Sequence, residues 1–133
     1  MILVDTSVFI HYFHNHSTPG ADYLDQLIQQ ERTFGINEYI YQELLQGSRD
    51  EKEFTTLKMY LSDIPIYSLK FGVQSFENAA RLNFRCRRKG ITIRSTIDLL
   101  IAETAIENDL YLLHDDTDYV NMAKAIPELK LLP

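Results

Sequence analysis

The chain has 133 residues, of which 45% are hydrophobic and 24% are charged, and these proportions are typical of a folded globular protein rather than a disordered one. A net charge of −6 argues against a passive coat for nucleic acid, since such binding needs cations that displace the counterions of phosphates. A single cysteine, Cys86, excludes an internal disulfide, and no signal-peptide pattern opens the sequence, so we expect a cytoplasmic location. No apolar run is long enough to cross a bilayer, and the size predicts one domain over residues 1–133.

The first half of the chain alternates short apolar runs with helical patterns. MILVD predicts a buried strand that ends at Asp5, and TSVFIHYFH predicts a helix after it. A break at Ser-Thr-Pro-Gly precedes a second helix in ADYLDQLIQQ, and TFGI predicts a short strand. Asn37 is a candidate N-cap for a helix ending near Gly47, where we expect the left-handed turn that glycine favours. EKEFTTLKMYL predicts another helix, and IPIYSL predicts a strand or an extended connector.

The second half continues the alternation. Apolar residues three to four positions apart predict a long helix over residues 71–89 that ends at Gly90: Val73, Phe76, Ala80 and Phe84. Ser95 predicts the start of the next helix, because an acid follows it three residues later. YLLH predicts a strand, DTDYVNMAKAI a helix and LKLL a terminal strand. The alternation predicts a three-layer α/β/α sandwich around a short, mostly parallel sheet.

Several carboxylates fall where a parallel sheet collects ligands, which is beyond the carboxyl ends of its strands. Asp5 ends the first predicted strand, and the DDTD run at 115–118 follows the YLLH strand. Asp98 lies in the first turn of the helix that leads into that strand, and Glu43 lies on the helix that follows Asn37. Four separate segments therefore each offer a carboxylate to one region.

Each of these acids also has an ordinary structural explanation. Asp5 is a suitable helix N-cap, and Asp98 completes a capping-box pattern with the serine before it. Glu43 fits a solvated helix surface, while Asp116 and Asp118 complement the positive end of the next helix. These explanations leave the clustering unexplained, because like charges in one cleft repel unless a cation opposes them. The pattern favours Mg²⁺ or Mn²⁺, which prefer carboxylate and water oxygens.

Four segments, in this order, resemble the acidic motifs of PIN-domain ribonucleases, and most closely those of VapC toxins: MILVDTSVFI, YQELLQG, RSTIDLLIAETA and LLHDDTDY. The resemblance spans essentially the whole chain. It implies a catalytic quartet of Asp5, Glu43, Asp98 and Asp116. It also implies that Mg²⁺, or alternatively Mn²⁺, is held by Asp5, Asp98, Asp116 and Asp118.

Three neighbours of the quartet take their expected roles from the same resemblance. Thr6 corresponds to a hydroxyl that helps to shape the site, and Asp115 falls at a variable position. His114 stands where many members of the family carry threonine or serine, so the hydroxyl support found there in other members is missing from this chain.

A basic cluster precedes the Asp98 helix, although the chain as a whole is acidic. Six of the 13 lysines and arginines lie between residues 81 and 94. A solvated helix end, with cations near the negative end of the helix dipole, is the ordinary explanation. Proximity to the acids favours contact with phosphates instead, and the candidate RNA-binding residues are Arg85, Arg87, Arg88, Lys89 and Arg94.

The resemblance implies a metal-dependent endoribonuclease toxin that cleaves tRNA or another structured RNA and leaves a 5′-phosphate and a 3′-hydroxyl. It also implies a VapB-type antitoxin as partner, a homodimer and a toxin–antitoxin hetero-oligomer. An aspartyl phosphatase is disfavoured because Ser7 stands where its motif needs a second aspartate. A catalytically silent PIN-fold module that only binds RNA or protein is the remaining alternative. Zinc is disfavoured because His11, His14 and His16 lack a second ligand motif.

Overall fold

The computed structural model describes all 133 residues and contains three strands and seven helices. Their order is β1 (Ile2–Val4), α1 (Thr6–Phe13), α2 (Pro19–Gln29), α3 (Glu38–Gln46), α4 (Glu51–Leu61), α5 (Val73–Arg88), α6 (Thr96–Glu107), β2 (Tyr111–Leu113), α7 (Thr117–Ala125) and β3 (Lys130–Leu132). Every helix that the sequence predicts is present. None of the helices combines the length and the apolar character that a membrane crossing requires.

The sheet is parallel and has the strand order β1-β2-β3. Leu3 pairs with Leu112, which in turn pairs with Leu131. The predicted TFGI strand is reduced to isolated bridges, one between Leu3 and Gly35 and one between Ile36 and Ile66. These bridges extend the parallel arrangement beyond β1, so the segment has the predicted extended shape without forming a regular strand.

Both faces of the sheet are covered. Successive residues of β1 and β2 point to opposite faces, and Leu3, Val4, Leu112 and Leu113 are all fully buried. Burial of consecutive residues is characteristic of a parallel sheet between two layers of helices. The fold is therefore the predicted α/β/α sandwich.

Helix α5 lies within the predicted span, but its buried face is not the one formed by the apolar residues that predicted it. The apolar residues that predicted it lie on its outer side, with Val73, Phe76 and Phe84 between 49% and 76% exposed. Its buried face is formed by smaller or shorter side chains: Ser75, Ala79, Leu82 and Cys86. Small side chains allow α5 to pack closely on α6, whose residues 99–105 are all buried.

One expectation about glycine is wrong. Gly47 ends α3 with a φ of −74°, which is ordinary right-handed backbone, so the helix ends without the left-handed turn. The left-handed conformation occurs after α5, where Gly90 has a φ of +73°. The Asn37 cap is confirmed, since its side chain accepts the Ile40 N–H at 2.8 Å.

Candidate active site

Asp5 connects β1 to α1 and serves as the α1 N-cap. Its Oδ2 accepts hydrogen bonds from the Ser7 N–H at 3.0 Å and from the Ser7 hydroxyl at 2.7 Å. Only 5% of the residue is exposed, and this burial raises the pKa of Asp5. The cap uses only Oδ2, and Oδ1 has a different partner, the Tyr119 hydroxyl. Asp5 can therefore cap α1 and also take part in a site at the carboxyl end of β1.

Asp98 makes only half of a capping box. Ser95 Oγ accepts the Asp98 N–H at 3.4 Å, but the Asp98 carboxylate does not return to the Ser95 backbone. Its Oδ1 instead accepts a hydrogen bond from the Tyr119 hydroxyl at 3.2 Å, and its Oδ2 has no hydrogen bond within the protein. The side chain is therefore turned away from its own helix cap and toward the other acids.

Asp116 and Asp118 complete a compact group of acids at the start of α7. Asp116 is the N-cap, and its Oδ1 accepts the Asp118 N–H at 2.9 Å. Asp98, Asp116 and Asp118 each place one carboxylate oxygen within 4.8 Å of the others. Asp5 and Glu43 are not members of this group. The structure thus brings three of the four predicted metal ligands together directly.

The carboxylate group has the chemistry of a site for a hard divalent cation. Burial, followed by repulsion from Asp5 and Asp116, raises the pKa of Asp98 to about 6. Asp98 Oδ2 and Asp116 Oδ2 have no protein hydrogen-bond donor, so each can accept a cation without breaking an internal bond. Oxygen ligands at this spacing fit Mg²⁺ or Mn²⁺.

Glu43 and Thr6 form the rim of the acidic region. Thr6, the first residue of α1, donates its hydroxyl hydrogen to Glu43 Oε1 at 3.0 Å, which links α1 to α3. Partial desolvation, and then the charge of Asp5, raise the pKa of Glu43. The predicted supporting hydroxyl is therefore in contact with one member of the predicted quartet.

Asp115 belongs to a different network from its two neighbours. Its carboxylate accepts hydrogen bonds from the Gly20 N–H at 2.8 Å and from the Thr18 hydroxyl at the N-terminus of α2. His11 Nδ1 lies 3.0 Å from the same carboxylate. The apparent repulsion within the DDTD run is therefore reduced, because Asp115 points to α1 and α2 while Asp116 and Asp118 point to Asp98.

His114 replaces the missing hydroxyl by a ring nitrogen. Its Nδ1 accepts the Asp116 N–H at 3.1 Å, which is the bond that a serine or threonine side chain can accept two residues along the chain. Burial lowers the pKa of His114, which keeps the ring neutral and Nδ1 free to accept. At this position a ring nitrogen therefore makes the contact that a hydroxyl oxygen could make.

Tyr119 is a site residue that the sequence did not reveal. Its fully buried hydroxyl donates to Asp5 Oδ1 at 2.9 Å and lies 3.2 Å from Asp98 Oδ1. The only local signal was its position directly after Asp118, in the first turn of α7.

The basic cluster is divided among three environments. Arg85 forms a two-bond ion pair with Glu128, and Arg94 pairs with Asp118 at 3.1 Å. The other three candidates are exposed and form no ion pair: Arg87, Arg88 and Lys89. Arg94 is the one candidate that contacts the acidic group, and its side chain is 75% exposed, so it can leave Asp118 easily.

Comparisons with known proteins agree with this geometry. Residues 2–125 match the family model described as PIN domain. The chain is 32% identical over 125 residues to Ribonuclease VapC11 of Mycobacterium tuberculosis strain H37Rv, an alignment that covers 93% of this chain and 92% of the relative. The VapC ribonuclease Mb1587 of Mycobacterium bovis matches with the same identity and coverage.

Solved structures show the same fold. VapBC2 from Rickettsia felis, bound to a DNA fragment from its promoter, matches with a TM-score of 0.73 and 25% identity over 98% of this chain and 97% of the other. FitAcB from Neisseria gonorrhoeae matches with a TM-score of 0.71 and 20% identity over 100% and 97% of the two chains. The protein therefore belongs to the PIN-domain family and, within it, to the VapC ribonucleases.

Proposed function

We propose that the protein is a Mg²⁺- or Mn²⁺-dependent endoribonuclease and the toxin of a VapBC-type toxin–antitoxin module. The observation that carries the proposal is the convergence of Asp98, Asp116 and Asp118 within 4.8 Å, at the carboxyl end of a parallel sheet. The relatives named VapC ribonuclease support the activity. Cleavage of its RNA target would inhibit translation and growth. The protein would act in the cytoplasm.

Asp98, Asp116 and Asp118 would hold the cation, with Asp5 as a further ligand or as the anchor of Asp98 through Tyr119. Such a cation, when bound, neutralises charge on the phosphate and makes a water a better nucleophile. Glu43, which is exposed beside Thr6, would accept a proton from the attacking water. Attack by water leaves no cyclic phosphate, and the resemblance to PIN-domain ribonucleases implies products with a 5′-phosphate and a 3′-hydroxyl.

The proposed substrate is tRNA or another structured RNA that presents a single-stranded loop, because the bases of a loop can be splayed out and recognised. Arg87, Arg88 and Lys89 are free to bind phosphates. Arg94 would exchange its contact with Asp118 for a phosphate of the substrate. Arg85 is the weakest of the five RNA-binding candidates, because Glu128 already neutralises it.

The proposed partners follow from the related complexes. Several solved neighbours are VapBC complexes, some of them bound to DNA. We infer a VapB-type antitoxin that binds this chain, a homodimer of the chain and a hetero-oligomer that contains both proteins. Co-purification with the neighbouring gene product, followed by mass measurement of the intact complex, tests this assembly.

The deciding experiment is cleavage of RNA by antitoxin-free protein in Mg²⁺ or Mn²⁺, with total tRNA and a loop-containing model RNA. EDTA and Asp98→Asn should each abolish cleavage, and mapped fragments should carry 5′-phosphates. Glu77→Gln is a matched control, because it removes an exposed carboxylate of α5 that has no ion pair. Intact RNA in the presence of bound metal would refute the proposed substrate. Absence of metal binding would favour the catalytically silent module instead.

A further inference from the structure

A single buried hydroxyl joins two of the proposed catalytic carboxylates. The Tyr119 hydroxyl lies 2.9 Å from Asp5 Oδ1 and 3.2 Å from Asp98 Oδ1. These acids come from distant parts of the sequence, since Asp5 follows β1 and Asp98 lies in the first turn of α6. The hydroxyl has one hydrogen, which it shares between these two oxygens, and no other side chain forms hydrogen bonds with both acids.

The contact leaves the two carboxylates with different freedom. Both oxygens of Asp5 are engaged, Oδ2 by Ser7 and Oδ1 by Tyr119. Only Oδ1 of Asp98 is engaged, and Oδ2 has no hydrogen bond within the protein. A carboxylate that is fixed through one oxygen presents the other in a defined direction. Tyr119 therefore orients the open oxygen of Asp98 within the group that Asp98 forms with Asp116 and Asp118.

The ring of Tyr119 is itself held by the segment that positions Asp116. The rings of His114 and Tyr119 pack with their centroids 5.6 Å apart. His114 Nδ1 accepts the Asp116 N–H, and the Tyr119 N–H donates to the Asp116 carbonyl at 3.2 Å. One short segment thus fixes Asp116 directly and fixes Asp98 through the phenol.

We propose that Tyr119 is a positioning residue of the carboxylate site, whose hydroxyl sets the separation of Asp5 and Asp98 and aims the free oxygen of Asp98 at a divalent cation. The residue is fully buried and acts through the two carboxylates rather than on RNA. The inference rests on the proposed function for its divalent cation and for its kinetic readout, but not for the RNA substrate. Partners that orient metal ligands in this way typically change metal affinity or activity by about 10- to 100-fold when they are removed.

The test compares Tyr119→Phe, which removes only the hydroxyl, with Tyr23→Phe, which removes a half-buried hydroxyl that makes no hydrogen bond. Binding of Mn²⁺ is measured by calorimetry without RNA, and cleavage of a model RNA is measured separately. We expect Tyr119→Phe to raise the Kd for Mn²⁺ about tenfold and to lower kcat about tenfold with KM for RNA unchanged. Tyr23→Phe should behave as the wild type in both assays.

A second measurement distinguishes weaker Mn²⁺ binding from a general loss of stability in the variant. The increase in Tm on addition of Mn²⁺ reports the affinity of the folded protein even for a destabilised variant, and it should be smaller for Tyr119→Phe. Equal Mn²⁺ affinity of variant and wild type would overturn the inference, as would an effect confined to the Tm in EDTA. Weaker Mn²⁺ binding by the variant, without RNA cleavage by either protein, would support the positioning role and refute the proposed function. A wild type that binds no Mn²⁺ would refute both.

Discussion

At the scale of single residues, the acids of this site each have a local and a distant role. Asp5 and Asp116 cap helices through their own backbone neighbours, and the same side chains face the acidic region. The Asp98 carboxylate does not form the capping-box bond to the Ser95 backbone and contacts the Tyr119 hydroxyl instead. Local bonds therefore hold these side chains in place at a distance where their charges repel one another.

The repulsion predicts that Asp98→Asn stabilises the protein while it abolishes cleavage. The variant removes the charge that lies beside Asp5 and Asp116, whose repulsion and burial raise the pKa of Asp98 to about 6. We expect the free energy of unfolding in EDTA to increase by about 1–2 kcal/mol, as measured by chemical denaturation. Unchanged or lower stability in EDTA would show that repulsion within the group is small. Glu77→Gln is the control for loss of an exposed acid.

Arg94 is predicted to weaken binding of the cation and to strengthen binding of RNA. Its guanidinium pairs with Asp118 at 3.1 Å, where it competes with a cation for the same carboxylate. We expect Arg94→Gln to tighten Mn²⁺ binding about threefold and to weaken RNA binding about threefold, because one positive charge is lost from the site. Lys89→Gln is the matched control, since it removes a nearby cation that has no ion pair. It should weaken RNA binding alone. Calorimetry and filter binding measure the two effects, and a change of the same sign in both would contradict this account.

At the scale of secondary-structure elements, Asp115 ties the loop after β2 to the helices beside β1. It accepts hydrogen bonds from the start of α2 and lies against His11 of α1. This contact requires that the second residue of α2 lack a side chain, because a Cβ at Gly20 would lie 2.5 Å from Asp115 Oδ1. The site is thus assembled by element contacts as well as by the acids themselves.

Gly20→Ala is therefore predicted to destabilise the protein by about 1–3 kcal/mol, as measured by chemical denaturation. The added methyl group displaces Asp115 and breaks its bonds to α2. Gly47→Ala is the matched control, because Gly47 has right-handed backbone and its added Cβ would lie 3.4 Å from the nearest atom. That substitution should leave stability unchanged or raise it by about 0.5 kcal/mol. Equal effects of the two substitutions would contradict the proposed close approach.

At the scale of the whole molecule, a second pair of acids links stability to pH. Glu103 is buried on α6 beside Glu107, whose Oε2 is buried without a hydrogen-bond donor of its own. Burial, and then the hydrogen bond to Glu107, raise the pKa of Glu103 to about 8. The Lys70 N–H and the Ser75 hydroxyl stabilise ionised Glu107, so Glu103 keeps the proton and donates a hydrogen bond to the Glu107 carboxylate, whose Oε2 has no other donor. Glu128 is the other acid that raises the pKa of Glu103.

In the unfolded chain, Glu103 loses its proton near the ordinary glutamate pKa. In the folded protein it keeps the proton up to about pH 8, so between these two pH values only the folded state has this proton bound. Stability from this group is complete below that window and falls as the pH rises through it. Glu103→Gln stays neutral in both states, so we expect it to be more stable than the wild type at pH 8 by about 1–3 kcal/mol, with little difference at pH 4. Denaturation at both pH values measures this. A constant difference between pH 4 and pH 8 would show that Glu103 is not the titrating group.

The helices, their caps and the identity of the acids could be predicted from local sequence, because capping, turn formation and apolar periodicity depend on residues a few positions apart. The face of α5 that packs inward could not, since it depends on how closely α6 approaches a surface of small side chains. The same limit applies to the site. The DDTD run marked an acidic region, but only the folded chain separates Asp115 from its neighbours. Tyr119 acquires its role from two carboxylates far away in the sequence, and no local pattern encodes a contact between residues that folding alone brings together.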